Sequence, residues 1–190
     1  MDGFSLERAA LSDPVLKRYY IGVFSADTVP PIQKNMAFFV NTSKSTDFGQ
    51  HWIAGHSLRE DGVFEFLCSF GSKLSEFPLV EKGVKEYTDK KVYTFPRPVQ
   101  VSWSSSCGGF VLFFLFFCAR KMYGAEILKS FFTPAPSPQQ LYKFDIFVLN
   151  IITTLYKLSF TPAQLLLDID FLIKHKQDEK EQKIIKSRKW

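Results

Sequence analysis

The segment around Cys107 carries the residue types that nucleophilic catalysis requires. Three serines, Ser104 to Ser106, lead into Cys107 and two glycines, and a long apolar run follows. This pattern predicts a thiol in the first turn of a buried helix, where unpaired backbone N–H groups and the helix dipole favour an anion. Gln100, seven residues earlier, is placed to donate a side-chain N–H to the same spot. Together these residues predict a thiolate nucleophile and an oxyanion hole.

The predicted nucleophile needs a general base, because most cysteines are inert small hydrophobes and a Cys-Gly-Gly sequence alone does not indicate catalysis. His51 and His56 lie in a short apolar segment that follows the turn-forming residues 41–49. Side chains alternate between the two faces of a strand, so at most one of these histidines faces the site of Cys107. The alternative for each is an ordinary polar residue at a strand end. His175 lies in a charged stretch and is expected to be solvated.

Four motifs in order along the chain resemble those of the adenovirus-type cysteine proteases, the adenains, which are related to the SUMO-deconjugating proteases. They are Asn-Thr at 41–42, Gly-x-His-Trp at 49–52, an aromatic strand ending in Ser-Phe-Gly at 69–71, and Gln followed by Cys-Gly seven residues further on. The segment 19–24 also resembles the opening strand of the family. The resemblance covers roughly residues 15–125.

The resemblance implies a role for each matching residue. Cys107 corresponds to the nucleophile, His51 to the general base and Gln100 to the glutamine of the oxyanion hole. Trp52 corresponds to the aromatic residue that packs beside the base. The implied activity is that of a cysteine endopeptidase, which needs no cofactor for its chemistry and cleaves near small residues, often after glycine.

One position departs from the family pattern, because Cys68 stands where the family has an acid, 17 residues after His51. The acid accepts the second N–H of the histidine and fixes its tautomer, whereas a neutral thiol accepts weakly. Glu65 is expected on the opposite strand face, and the turn residues Glu60 and Asp61 are expected to lie too far away. The favoured interpretation is a Cys–His pair oriented by a backbone carbonyl or water. A weakened or inactive site and a redox-sensitive bridge from Cys68 to the nucleophile are the alternatives.

The resemblance also implies partners. Adenovirus proteases use DNA as a cofactor and a track, and a short capsid-derived peptide that is joined to the enzyme by a disulfide. The cysteine for that link would fall at Asp89, so we expect at most a non-covalent peptide strand. The net charge of +5, with basic residues gathered at 174–189, permits DNA binding. The implied setting is a monomer that acts on capsid or core precursors in the host nucleus and the virion.

The elements that must position these residues are expected to form an α+β fold, a central mixed sheet flanked by helices, of the papain-like adenain type. Strands are predicted at 20–24, 36–40, 51–55, 63–67, 92–95 and 99–101, with an Asp-Gly turn between the third and fourth. Helices are predicted at 5–11, 74–87, 107–123, 139–158 and 163–176, with a proline-rich connector at 133–138. The apolar run after the nucleophile is too short to cross a membrane.

Composition bounds the remaining possibilities. The 190 residues predict a single domain, with a motif-bearing part at about 15–125, a helical part at about 139–176 and a charged tail at 177–190. The 21 phenylalanines predict a core filled by aromatic rings. Three scattered cysteines match neither a disulfide framework nor zinc-ligand spacing, so we expect an intracellular, reducing location and no metal. The N-terminal residues lack a hydrophobic signal region, so secretion is not expected.

Two classes of function follow from these observations. The first is a maturation endopeptidase acting on viral or virus-like capsid precursors, with a ubiquitin-like-protein deconjugase as its variant. The second is a catalytically impaired capsid-associated or DNA-binding protein that retains the protease fold. Cys107, His51 and Gln100 favour the first class, whereas Cys68 favours the second.

Overall fold

A mixed sheet of five strands in the order β1-β2-β3-β4-β5 forms the centre of the fold. The computed structural model describes residues 1–87 and 92–157. The β1–β2 and β4–β5 pairs are parallel, and the β2–β3 and β3–β4 pairs are antiparallel. The α+β class with a mixed sheet is therefore confirmed. The strands are β1 (Tyr20–Ser25), β2 (Ala37–Asn41), β3 (Trp52–His56), β4 (Glu65–Leu67) and β5 (Tyr93–Thr94).

Five α-helices accompany the sheet within the described residues. The longest begins at Pro138 with Ser137 as its N-cap, as the Ser-Pro sequence predicts. Ser137 and Gln140 also form a reciprocal capping box. Two short 3₁₀ turns, Leu16–Arg18 and Leu74–Glu76, complete the set. The helices are α1 (Gly3–Ser12), α2 (Pro78–Tyr87), α3 (Cys107–Cys118), α4 (Gly124–Phe131) and α5 (Pro138–Tyr156).

Strand alternation divides the core into two apolar clusters, one on each face of the sheet. In β3, Ala54 packs in the cluster that contains α3, and Ile53 packs in the cluster on the other face. In β4, Leu67 lies on the α3 side, whereas Phe66 and the following Cys68 lie on the other side. This is the period of two that a pleated strand imposes. It separates His51 and Cys68 from the polar groups that face α3.

Helix α3 lies under the sheet and is surrounded by protein. Ten of its 12 residues are buried, which matches a helix that is apolar on all sides. It packs against β3 and contacts α1, α4 and α5. The Phe113 ring contacts Phe114, Phe131 and Phe132 in edge-on geometry, with centroids 5.5 to 6.2 Å apart. This arrangement suits the ring quadrupoles and makes the predicted aromatic core a rigid base for the residue at its N-terminus.

The predicted helix over 107–123 is wrong at its C-terminal end. Helix α3 ends at Cys118, Lys121 takes a left-handed conformation with φ 68°, and a separate helix, α4, begins at Gly124. A tertiary contact explains the break. The Gly124 N–H donates to the buried Glu65 Oε2 at 2.8 Å, and a continuous helix would have used that N–H internally.

The predicted strand at 99–101 is also wrong. The N–H groups of Val99 and Gln100 both donate to the carbonyl oxygen of Ser69, at 2.8 and 3.1 Å. Two N–H groups that share one carbonyl oxygen do not form a strand ladder, because a ladder needs successive partners along the neighbouring strand. The segment is therefore an extended loop that is held against the end of β4.

Several predictions fall outside the described residues. These are the helix at 163–176, the charged tail at 177–190 and position Asp89. The single-domain boundary at 1–190 likewise stays a prediction. Among residues 1–87 and 92–157, no helix has both the length and the apolar character needed to span a membrane.

Candidate active site

Cys107 is the first residue of α3, as the sequence predicts, and the residue is 9% exposed. The preceding Ser106 makes no side-chain capping bond, which leaves the first N–H groups of the helix uncapped by it. Burial, the largest effect, raises the pKa of the Cys107 thiol, and the backbone N–H groups of Trp52 and Gly108 lower it only in part. Burial therefore acts against the thiolate that the sequence predicts.

His51 lies just before β3, with its ring stacked on Phe70 at a centroid distance of 4.5 Å. Its Nε2 lies 3.3 Å from the Sγ of Cys68. Its Nδ1 is buried and has no hydrogen-bond partner within the described residues. Burial lowers the pKa of His51 to about 4, so the ring is neutral at neutral pH. A neutral ring with one free nitrogen is what a general base requires.

Cys68 occupies the place that an acid would need to orient His51. Burial raises the pKa of the Cys68 thiol, although the N–H groups of Phe70 and Ser72 and the Ser72 hydroxyl act in the opposite direction. A carboxylate there would only accept a hydrogen bond, which would put the proton on Nε2 and leave Nδ1 as the base. A neutral thiol can donate or accept, so it permits both tautomers of the histidine.

His56 and Glu65 form a separate buried pair on the α3 side of the sheet. His56 Nε2 lies 3.0 Å from Glu65 Oε2, and both side chains are fully buried. Arg59 donates to the other carboxylate oxygen at 3.1 Å, and Gly124 N–H completes the set. Burial opposes ionisation, but these donors lower the pKa of Glu65 below its usual value. As expected from strand alternation, Glu65 pairs with His56 and does not hydrogen bond to His51.

Within the described residues, the group of side chains that could hold a metal ion includes the buried His56–Glu65 pair. One ligand atom each from His56, Glu65 and Cys118 lies within 4.8 Å of the others. Both oxygens of Glu65 are already hydrogen bonded, one of them to the Arg59 cation, which would repel a metal ion. The group is better explained as a satisfied polar network that anchors β3, β4 and the start of α4.

Gln100 lies behind the loop that leads to Cys107. Its Oε1 accepts from the Ser69 hydroxyl at 2.5 Å, and its Nε2 donates to the carbonyl oxygen and the hydroxyl of Ser104, both at 2.9 Å. The residue is 1% exposed and does not line the cleft beside Cys107. In this state the amide braces the loop, and its N–H groups are not free to meet an oxyanion.

A cleft of about 410 Å³ brings Cys107 and His51 together. Its walls come from the N-terminus, the loop before β3, the turn after β4 and the loop before α3. Trp52 donates from Nε1 to the carbonyl oxygen of Met1 at 2.9 Å, which closes one side. The lining residues are Met1, Asn41, Gly49, Gln50, His51, Trp52, Phe70, Ser102, Trp103, Ser104, Ser105 and Cys107.

The structure shows contacts that the sequence did not indicate. Phe70 stacks on the histidine, and Met1 lies against the start of α3, with its Cβ 2.8 Å from where a side chain would begin at Gly108. The motif Ser-Phe-Gly contained the signal for Phe70, since the aromatic residue lies in the short segment that follows the strand and is two residues from Cys68, the neighbour of the histidine. Nothing in the residue pattern pointed to Met1. The thiols of Cys68, Cys107 and Cys118 are all free.

Comparison with known proteins adds no relative: no family model and no curated protein matches this sequence. The cleft and its residues therefore carry the functional assignment.

Proposed function

We propose that this protein is a cysteine endopeptidase whose nucleophile is Cys107 and whose general base is His51. The observation that carries the proposal is that both residues line one cleft. In addition, His51 Nδ1 is buried and has no partner among the described residues. Nucleophile and base are thus supplied by separate segments, a helix N-terminus and the loop that leads into a strand. That combination is the usual design of an activated thiol.

The reaction starts from a neutral pair, because burial raises the pKa of Cys107 and lowers that of His51. His51 Nδ1 takes the thiol proton as the sulfur attacks the carbonyl carbon of a peptide bond. The backbone N–H of Cys107 and the Gln100 amide stabilise the tetrahedral oxyanion, once the amide is released from Ser104. His51 then protonates the leaving amine, and water hydrolyses the thioester. No cofactor takes part in these steps.

The resemblance to adenains supports the choice of substrate. We propose that the enzyme has the adenain type of fold and cleaves capsid or core precursor proteins during virion maturation, in the host nucleus and the virion. The small residues Ser102, Ser104 and Ser105 and Gly49 line the cleft, so a substrate backbone can approach closely. DNA and a non-covalently bound peptide are the proposed activators, and the active form is a monomer.

A second candidate is favoured by the state of Cys68 and Gln100. A thiol in the acid position permits the wrong histidine tautomer, and the amide is bound to Ser104. Both features suit a catalytically impaired protein that retains the fold for capsid or DNA binding. A ubiquitin-like-protein deconjugase would use the same catalytic residues as the endopeptidase and differ only in substrate.

Acylation by p-nitrophenyl acetate tests the chemistry and does not require the natural substrate. We expect a burst of nitrophenol and one acetyl group on Cys107, found by peptide mass spectrometry. Cys107→Ala abolishes the burst, and His51→Ala slows it by about a hundredfold, because the general base is lost.

The matched control is Gln50→Ala, which alters the residue beside His51 in the cleft wall and leaves the proposed chemistry intact. A folded wild-type protein that is not acylated on Cys107 would contradict the endopeptidase proposal. The second candidate would then be preferred.

A further inference from the structure

Two loops meet behind the candidate catalytic pair. One loop, residues 68–72, follows β4 and contacts His51 through Cys68 and Phe70. The other loop, residues 100–106, leads directly to Cys107. Any group that joins the two loops therefore controls the relative position of base, nucleophile and oxyanion donor.

Ser69 joins these loops through both its backbone and its side chain. Its carbonyl oxygen accepts the backbone N–H of Gln100 at 3.1 Å, and its hydroxyl donates to Gln100 Oε1 at 2.5 Å. Gln100 Nε2 then donates twice to Ser104, whose hydroxyl lies 2.7 Å from that of Ser106. An unbroken chain of hydrogen bonds runs from the turn beside His51 to the residue before the nucleophile.

This series of hydrogen bonds fixes the orientation of the Gln100 amide. An amide has a donor end and an acceptor end, and the carbonyl oxygen of Ser104 can pair only with the donor end. The Ser69 hydroxyl supplies the donor that the acceptor end needs. Ser69 is fully buried, so no solvent replaces it there, and its loss would leave the amide oxygen without a donor.

We propose that Ser69 is a positioning residue that holds the Gln100 amide with its N–H groups toward the Cys107 loop, on the side where the oxyanion forms. The inference rests on the proposed function. In the resting state these N–H groups bind Ser104, and they become donors to the oxyanion when the Ser104 loop shifts. A rotated amide would present its oxygen to the oxyanion instead, which is repulsive.

Two reactions of Cys107 separate this role from a merely structural one. Acylation by p-nitrophenyl acetate passes through an oxyanion, whereas alkylation by iodoacetamide does not. For Ser69→Ala we expect the acylation rate to fall about tenfold or more, while the alkylation rate stays within about twofold of wild type. Ser69→Cys, which keeps an unbranched side chain with one polar hydrogen but donates weakly, is expected to show the same selective loss.

Ser57→Ala is the matched control, because Ser57 is also buried and its hydroxyl donates to the carbonyl oxygen of Gln33, away from the cleft. It should leave both rates unchanged. Unchanged acylation in Ser69→Ala, or an equal fall in both reactions, would overturn the positioning role. A wild-type protein that alkylates but does not acylate would overturn the proposed function itself, and the inference with it.

Discussion

At the scale of single residues, the cysteine at position 68 determines how well His51 works as a base. The N–H groups of Phe70 and Ser72 donate toward its sulfur, and His51 Nε2, which can donate or accept according to its tautomer, is 3.3 Å away. Those neighbours suit a carboxylate, which would accept from all of them and hold the histidine in the productive tautomer. The thiol fills the space without enforcing that tautomer.

Replacing Cys68 with aspartate should therefore speed acylation of Cys107 by about tenfold or more, because the proton then resides on Nε2. The measurement is the burst rate with p-nitrophenyl acetate. Cys68→Asn is the control, since it has the same shape as aspartate but can donate as well as accept. If the asparagine variant is as fast as the aspartate variant, tautomer control is not the effect at this position.

At the scale of elements, Gly124 decides where α3 stops and α4 starts. A Cβ at this position would lie 2.6 Å from the Tyr93 ring, 2.9 Å from the Phe95 ring and 3.2 Å from Glu65 Oε2. The start of α4 is thus packed directly onto β5 and onto the buried carboxylate. Glycine is required there by space rather than by backbone conformation.

Gly124→Ala should lower the free energy of unfolding by about 1–3 kcal/mol, because these buried rings must shift. Gly83→Ala is a matched control in α2, where a new Cβ would meet nothing within 4 Å. That variant should gain about 0.5–1 kcal/mol from helix propensity and reduced unfolded-state entropy. Urea unfolding measures the free energy of unfolding of both variants. A Gly124→Ala protein that is as stable as wild type would show that α4 can move away from the sheet.

At the scale of the whole molecule, the half-buried His51 makes folding sensitive to acid. Its pKa is lowered from 6.5 to about 4 by burial. The unfolded chain therefore binds a proton on this histidine between those values while the folded chain does not, so stability falls as the pH drops through this window. The lowered pKa of the buried Glu65 adds a further loss at more acidic pH.

The free energy of unfolding should be about 2 kcal/mol smaller at pH 4.5 than at pH 7 because of His51 alone. In His51→Gln this part of the pH dependence should disappear, whereas in the Gln50→Ala control it should persist. Urea unfolding at both pH values gives the comparison. Equal pH dependence in His51→Gln and wild type would mean that the histidine is not desolvated.

The sequence alone determined the features that depend on local pattern. Period-two alternation separated His51 from His56 and predicted that Glu65 faces away from Cys68. The Ser-Pro sequence predicted the start of α5, and the apolar run after Cys107 predicted a buried helix. Each of these follows from the neighbours of a residue along the chain, which is why they could be derived without coordinates.

Only the tertiary structure decided the features that depend on distant partners. Helix α3 ends early because Glu65, far along the chain, takes the Gly124 N–H. Gln100 is turned toward Ser104 because Ser69 holds its other end. The pKa of His51 is low because the fold buries it. Desolvation and hydrogen-bond competition are properties of the packed chain, since they arise only when remote segments exclude water and compete for the same donor.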